Sequence, residues 1–222
     1  MAVSVQSVID RVQATLQDAG GIRFPVTSEL VLWVNDCQRE IALLKPDATA
    51  TNTTITLVTG TKQSIPTDGN RLLNVIRNMS ASSSGTGKRS VRLVQREALD
   101  SQTPDWHNPA ATGSAAHGVN VKHYIYDDED PRNFYVYPGV AGNAFMEIVY
   151  SANPATVALS DNLGVPDIYA NAVMNYVIYM ACMKDAEAGN QTRAGAHYQL
   201  FQIAVTGKGQ LDAAANPNVG NA

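Results

Sequence analysis

Charge is scarce in this chain. Only 16% of its 222 residues are Asp, Glu, Lys or Arg, against roughly 25% in an average soluble domain, while its 45% hydrophobic content is ordinary. Few charges at ordinary hydrophobicity describe a surface that is uncharged-polar and partly buried against something, as in an assembly subunit. A basic excess is also lacking: 16 Lys and Arg stand against 20 Asp and Glu, for a net charge of −4. With no surplus of cations to neutralise phosphates, the surface is not built to grip DNA or RNA. The polybasic patch of a membrane-surface protein is missing as well. The opening MAVSVQSVIDRVQATL has neither a basic n-region nor an apolar h-region, so no signal peptide is expected. The most apolar stretch, Tyr169 to Met183, contains Asn171 and Asn175 and is too short to span a bilayer. These absences predict a protein made and kept in the cytosol. Cysteine is rare too. Cys37 and Cys182 each lie among apolar residues in a helical pattern, outside any CxxC, and read as small core residues rather than a disulfide or metal site.

Catalytic signatures are equally absent. The run Ser84 to Arg89 resembles a phosphate loop, but Ser82 stands where its first glycine belongs and Arg89 where the magnesium-holding hydroxyl belongs; it reads as a flexible loop. The acidic run Asp127-Asp128-Glu129-Asp130 offers carboxylates to a hard cation such as calcium, but it lacks the spaced D-x-D-x-D-G pattern and runs straight into Pro131. A solvated hairpin tip is the simpler reading. The histidines at 107, 117, 123 and 197 show no HExxH or other ligand spacing, and no GxSxG elbow is present. Trp106 with Tyr124, Tyr126, Tyr135 and Tyr137 could form a sugar-binding platform; tyrosines alternating along strands more often pack a sheet. No catalytic residue, metal site or cofactor is expected.

What remains is pattern. Val5, Val8, Ile9, Val12 and Leu16 form one apolar stripe, predicting a helix over residues 4 to 19 that Gly20-Gly21 ends. Leu30, Trp33, Val34, Cys37, Ile41 and Leu44 form a second stripe, with Thr27 as candidate N-cap, Glu29 at its positive end and Pro46 as its stop. The short link between the two favours an antiparallel pair. From residue 50 the period drops to two. Ile55, Leu57 and Thr59 alternate, Gly60 turns the chain and Gln63 to Pro66 run back, reading as a hairpin. Leu72 to Met79, Ser90 to Val94, Lys122 to Tyr126, Asn133 to Tyr137 and Ala144 to Tyr150 read as further strands. Gln95 to Ser101 reads as a turn or two of helix, and 102 to 120 as loop. Helix returns after Gly164, with Pro166 and Asp167 suited to its first turn. From Tyr169 to Met183 nearly every face is apolar, predicting burial all round: one face on its own bundle, another, carrying Val177 and Ile178, on a neighbouring subunit. Gly189 would end that helix and Asn190 would cap a last one through Tyr198, Phe201 and Val205. The fold class is thus α+β: a helical bundle from N- and C-terminal helix pairs (1–48 and 160–206) with an inserted antiparallel β-unit (49–159) projecting from one side. Residues 207–222, rich in Gly, Ala and Asn, are expected to form a flexible tail.

The C-terminal half, through Val165-Pro166, Tyr176, Ala181, Lys184-Asp185-Ala186 and the closing His197-Tyr198-x-x-Phe201, resembles the phage adaptor proteins of podovirus-type head–tail junctions, the tail tubular protein A group. Trp33-Val34-Asn35 and the Pro46-Asp47 exit look like the same family's opening. The β-unit matches by position and size alone, and Met180 stands where the family pattern carries an arginine. The resemblance implies a ring, commonly a dodecamer, at the head–tail junction of the virion, made in the host cytoplasm. Its helical bundle and C-terminal segment, with Lys208 and Leu211, would engage the portal protein, and its β-unit would meet the downstream tail (nozzle) protein. DNA would pass through transiently and non-specifically, for which an acidic wall is suited. A tail-completion or terminator protein is the near alternative, and a carbohydrate-binding or hydrolytic β-protein on a helical scaffold the distant one.

Overall fold

The computed structural model describes residues 2–81, 85–184 and 188–215, with the side chains of 188–190 and 208–215 outside that description. The chain forms two compact units: Met1–Thr49 with Pro154–Ala222, and Ala50–Asn153. The class is α+β, with terminal helices packed together and two central sheets.

In the helical unit, α1 (Val5–Leu16) starts where the Ser4 hydroxyl accepts the Ser7 N–H at 3.2 Å, and its stripe of Val5, Val8, Ile9 and Val12 is buried. It ends earlier than the glycines suggest. Gln17 itself takes the left-handed conformation (φ 56°), and the N–H groups of Gln17 and Asp18 bond back to Ala14 and Gln13. Gly20-Gly21 belong instead to a loop held by the Asp18 carboxylate, which accepts the N–H of Ile22 at 3.0 Å and of Phe24 at 2.9 Å. Those amides, Phe24's foremost, hold its carboxyl below the usual range. Thr27 caps nothing: Pro25 opens a π-turn, Val26–Leu30, which runs straight into α2 (Val31–Leu44). Leu30, Val34, Cys37 and Ile41 are buried, whereas Leu44, at the end of the predicted stripe, is exposed.

The most central helix is α4 (Ala170–Lys184); α1, α2 and α5 (Ala188–Ala215) all pack against it. Gly189 and Asn190 are neither stop nor cap, because α5 has already begun at Ala188. The backbone of 207–215, expected as a flexible tail, continues α5 to Ala215. A helix already anchored by buried Phe201 and Val205 has met its nucleation cost, so it can run on through Gly207 and Gly209 to the alanines at 213–215. Residues 216–222, the remainder of the expected tail, lie outside the described residues.

The segment after residue 153 crosses the helical unit without regular structure, and two buried amides hold it. Asn35 accepts the Val157 N–H at 2.8 Å and donates to the Val157 carbonyl at 3.0 Å, while Gln38 accepts the Gly164 N–H. Residues 154–159, placed with the β-insertion from sequence, therefore belong to the helical unit.

The β-unit has two four-stranded sheets. One runs β1 (Ala50–Leu57), β8 (Ala144–Ala152), β3 (Gly69–Met79), β4 (Gly87–Ser90); the other runs β2 (Gly60–Ser64), β7 (Asn133–Val140), β6 (His123–Tyr126), β5 (Arg92–Leu93). Pairing is antiparallel except between β5 and β6. Leu57, Val75, Met146 and Ile148 from the first sheet share a core with Phe134, Val136 and Tyr124 from the second. The predicted β1–β2 hairpin does not form: β1 pairs with β8 and β2 with β7, so the chain changes sheets between them. Gly60, at φ 108°, permits the turn. Buried Gln63 fixes it, accepting the Val58 N–H at 2.8 Å and donating to the carbonyls of Val58 and Gly60. Asn78 plays the part of Asn35 here, exchanging both bonds with the Val121 backbone and donating to the Arg89 carbonyl. A satellite cluster of Leu99, Trp106, Ala115, Ile125 and Tyr137 packs α3 (Arg96–Gln102) and the long loop onto the second sheet.

Replacing Asn35 or Asn78 by Leu strands a buried N–H and a buried carbonyl, each costing about 1–3 kcal/mol. Each variant is expected to lose at least about 2 kcal/mol of stability in urea unfolding followed by circular dichroism, and a loss under about 0.5 kcal/mol would remove the clamp from the account.

Candidate functional site

Val177 and Ile178, expected to face a neighbouring subunit, have 0% of their surface exposed within the single chain. They lie in the core that α4 shares with α1, α2 and α5, so they offer a partner nothing. The flank of α4 beside them is aromatic. Tyr176 meets Phe201 at 5.1 Å between ring centroids and Tyr179 at 5.8 Å, and Tyr179 meets Tyr198 at 4.9 Å. Burial pushes the Tyr176 hydroxyl up to about 12. At the C-terminal end of α4, the Lys184 ammonium bonds Glu29 at 2.6 Å and the Arg23 carbonyl at 3.3 Å, above the Phe24 ring. The exposed apolar side of α5 is the one opposite Phe201 and Val205, where Leu200 is 50% and Ile203 65% exposed. The helix carries positions 208 and 211 on its backbone, their side chains being outside the described residues.

The β-unit holds an open cavity of about 400 Å³ between the start of α3 and the ends of β6 and β7, lined by Gln95, Arg96, Glu97, Ile125, Tyr126, Asp127 and Tyr135. Its charged groups are mostly engaged: Arg96 lies 3.5 Å from Asp100 and over the Tyr135 ring, and Asp127 accepts the Glu129 N–H at 3.0 Å. The five-ring platform is not on the surface. Trp106 is buried, with its indole N–H on Asp100 at 2.8 Å, Tyr137 is buried beside it and Tyr124 in the core between the sheets; of the five rings, Tyr126 and Tyr135 reach the cavity. The acidic run does form the tip of the β6–β7 hairpin, with Asp128 on Arg71 at 2.7 Å and Asp130 near Lys62. Among the described residues no three acidic, His or Cys side chains gather as a metal-holding group, and no helix is long and apolar enough to cross a membrane. Lys88 and Arg89 lie on β4 rather than in a loop, and Ser82 to Ser84 lie outside the described residues.

The histidines are dispersed. His107 shares a hydrogen bond with the Thr61 hydroxyl at 2.8 Å, and His197 one with the Asn175 side chain at 2.9 Å. His123 stacks on Tyr137, its Nδ1 buried without a hydrogen-bond partner, as is His117 Nε2. Burial lowers the pKa of His107, His123 and His197, aided for His123 by Arg89, Lys122 and Arg92.

A family model described as SU10 adaptor protein matches residues 3–220. The chain belongs to the SU10 adaptor protein family. This is a family of phage head–tail adaptors, and no curated protein matches the chain. The residues that carried the adaptor resemblance are largely those that build the helical unit. Val165 and Ala181 are buried, Tyr176, Tyr198 and Phe201 make the aromatic flank, and Lys184 binds Glu29. Sequence reasoning therefore located the packing of the adaptor's helices, whereas Val177 and Ile178, expected at a subunit contact, are buried within the single chain. A second, outer pair on α5, Leu200 and Ile203 spaced three apart, is exposed.

Two outcomes follow for the adaptor. Val177→Asp or Ile178→Asp buries a charge without a partner and should cost several kcal/mol, read as collapse of the folded monomer in thermal melts; a folded, stable variant would return these residues to the surface. The histidine shifts set a pH dependence. A lowered folded-state pKa means that the unfolded chain takes up protons first. Stability should therefore fall as pH drops below the usual histidine value of about 6.5, levelling off beneath the lowered values. Calorimetry should show this decline, and His123→Gln should flatten it.

Proposed function

We propose that this adaptor is the subunit of a ring, commonly a dodecamer, between the portal and the tail of a tailed phage, lining the channel through which DNA passes. The observation that carries the reading is the family match over residues 3–220; the paired terminal helices support it. The helical unit and the C-terminal segment with Lys208 and Leu211 turn towards the portal, and the β-unit turns towards the downstream tail (nozzle) protein. Leu200 and Ile203 take the place of Val177 and Ile178 as the apolar contact with a neighbouring copy, since large exposed hydrophobics on one helix side mark an interaction surface. The net charge of −4 suits a wall that phosphates slide past. The protein works without catalysis or cofactor, at the head–tail junction of the virion. A tail-completion or terminator protein would differ only in its neighbours.

The test is co-sedimentation with portal rings. Deleting 207–222 should leave the fold intact and weaken attachment by about tenfold or more, because a contact repeated around a ring multiplies each local loss; binding equal to the full-length chain would sink that assignment. Leu200→Asp with Ile203→Asp should abolish ring assembly and shift stability by less than about 0.5 kcal/mol, as for surface substitutions generally. Rings of normal size from that variant would clear α5 of the contact.

A further inference from the structure

Charge is sorted by sign along β6. Three cations gather where the strand begins. Arg92 is the register partner of His123, and its N–H donates to the Lys122 carbonyl at 3.2 Å. Asn78 brings Arg89 to the same place, donating to the Arg89 carbonyl at 2.9 Å while it exchanges both bonds with the Val121 backbone. Arg89 and Arg92 are exposed and Lys122 is half-buried. Among the described residues none of the three has an ion pair. Their common neighbour is His123, whose pKa is lowered first by burial and then by Arg89, Lys122 and Arg92.

The other end of β6 has the opposite sign. Past Tyr126 the acidic turn begins, and the chain that leaves β5 reaches the same end with Gln95, Arg96 and Glu97. Arg71 and Lys62 answer Asp128 and Asp130, and Arg96 is matched by Asp100. Glu97, Asp127 and Glu129 are exposed and have no ion pair among the described residues. Glu97 and Asp127 line the cavity of about 400 Å³ together with the Tyr126 and Tyr135 rings. Tyr135 already holds one guanidinium, that of Arg96, at 5.9 Å from its centroid. Lys122 and Asp127 are five residues apart, or about 16 Å along an extended strand. That is about twice the Debye length at physiological salt. Within one copy the two ends cannot neutralise each other.

We propose that the Arg89, Arg92 and Lys122 patch of one copy docks on the carboxylate- and tyrosine-lined cavity of a second copy. The second copy is the occupant because one chain carries both complements: three cations without carboxylates at one end of β6, three carboxylates without cations at the other. The tyrosines favour the same occupant, since a guanidinium drawn out of water gains from a ring face. Two different surfaces meet, so the contact is head-to-tail. It repeats from copy to copy and closes into a ring where the rotation allows. It is thus a contact within the ring of the proposed function and rests on that reading for its closure.

An equimolar mixture of isotopically light and heavy full-length chain, treated with a carbodiimide over a concentration series, should give light–heavy crosslinks. Mass spectrometry should place them between Lys122 and Glu97, Asp127 or Glu129, with a yield that falls as salt is raised. Arg89→Glu with Arg92→Glu keeps Lys122 and should cut that yield about tenfold or more, as like charges brought together oppose docking, with circular dichroism unchanged. Mixing this variant with Glu97→Lys, Asp127→Lys chains should restore the crosslinks, now from Lys122 of the second to the carboxylates of the first. Leu200→Asp with Ile203→Asp, which tests the ring, should leave them in place. Crosslinks without closed rings would remove the ring and keep this contact; rings without these crosslinks would overturn the contact and keep the ring. A chain with no light–heavy crosslinks, a yield indifferent to Arg89→Glu with Arg92→Glu, or a patch that holds a double-stranded DNA oligonucleotide in place of a second copy overturns the proposal.

Discussion

Buried backbone must be hydrogen-bonded, and in this protein much of it belongs to segments with no helix or sheet to supply the bond. The answer is the same in both units: a carboxamide side chain, which carries donor and acceptor together, reaches across and stands in for a strand. Asn35 does so for Val157, Gln38 for Gly164, Asn78 for Val121 and Arg89, and Gln63 for the turn at Val58 and Gly60. Each of these amides is buried. Carboxamides meet the need without the desolvation penalty of a charge, which is one physical reason a chain with so few charges can fold its irregular segments inwards.

Fixing those segments fixes what the regular elements can present. With residues 154–165 held against α2, α4 is enclosed by α1, α2 and α5, and its most apolar residues are spent on the unit's own core. Leu200 and Ile203 on the outer side of α5 stay exposed. In the β-unit, the Gln63 turn sends β1 and β2 into different sheets, which leaves β1 a full-length edge rather than half of a hairpin.

The cavity beside α3 has aromatic and charged walls, yet Arg96 is matched by Asp100 and the acidic turn by Arg71 and Lys62. His107, His123 and His197 are scattered through both units, and burial is the foremost cause that lowers their pKa values.

Periodicity made the α+β class, the helix pairs, the strands and the core stripe of α1 legible, because a 3.6- or 2-residue repeat records which side of an element meets the core. The adaptor resemblance was legible for a related reason: its residues, such as Val165, Ala181 and Phe201, are constrained by packing. Termini and partners were not legible. Gln17 rather than a glycine ends α1, and Pro25 rather than Thr27 opens the way into α2, because neighbouring backbone and the Asp18 carboxylate decide where a helix stops and starts. Whether β1 joins β2 or β8 depends on the Gln63 turn and on strands some ninety residues apart in the chain. Apolar residues on every side of α4 could have faced a neighbour or the monomer core with equal local sense. Only the tertiary structure decides, because burial is a property of what three other helices leave uncovered and not of the helix itself.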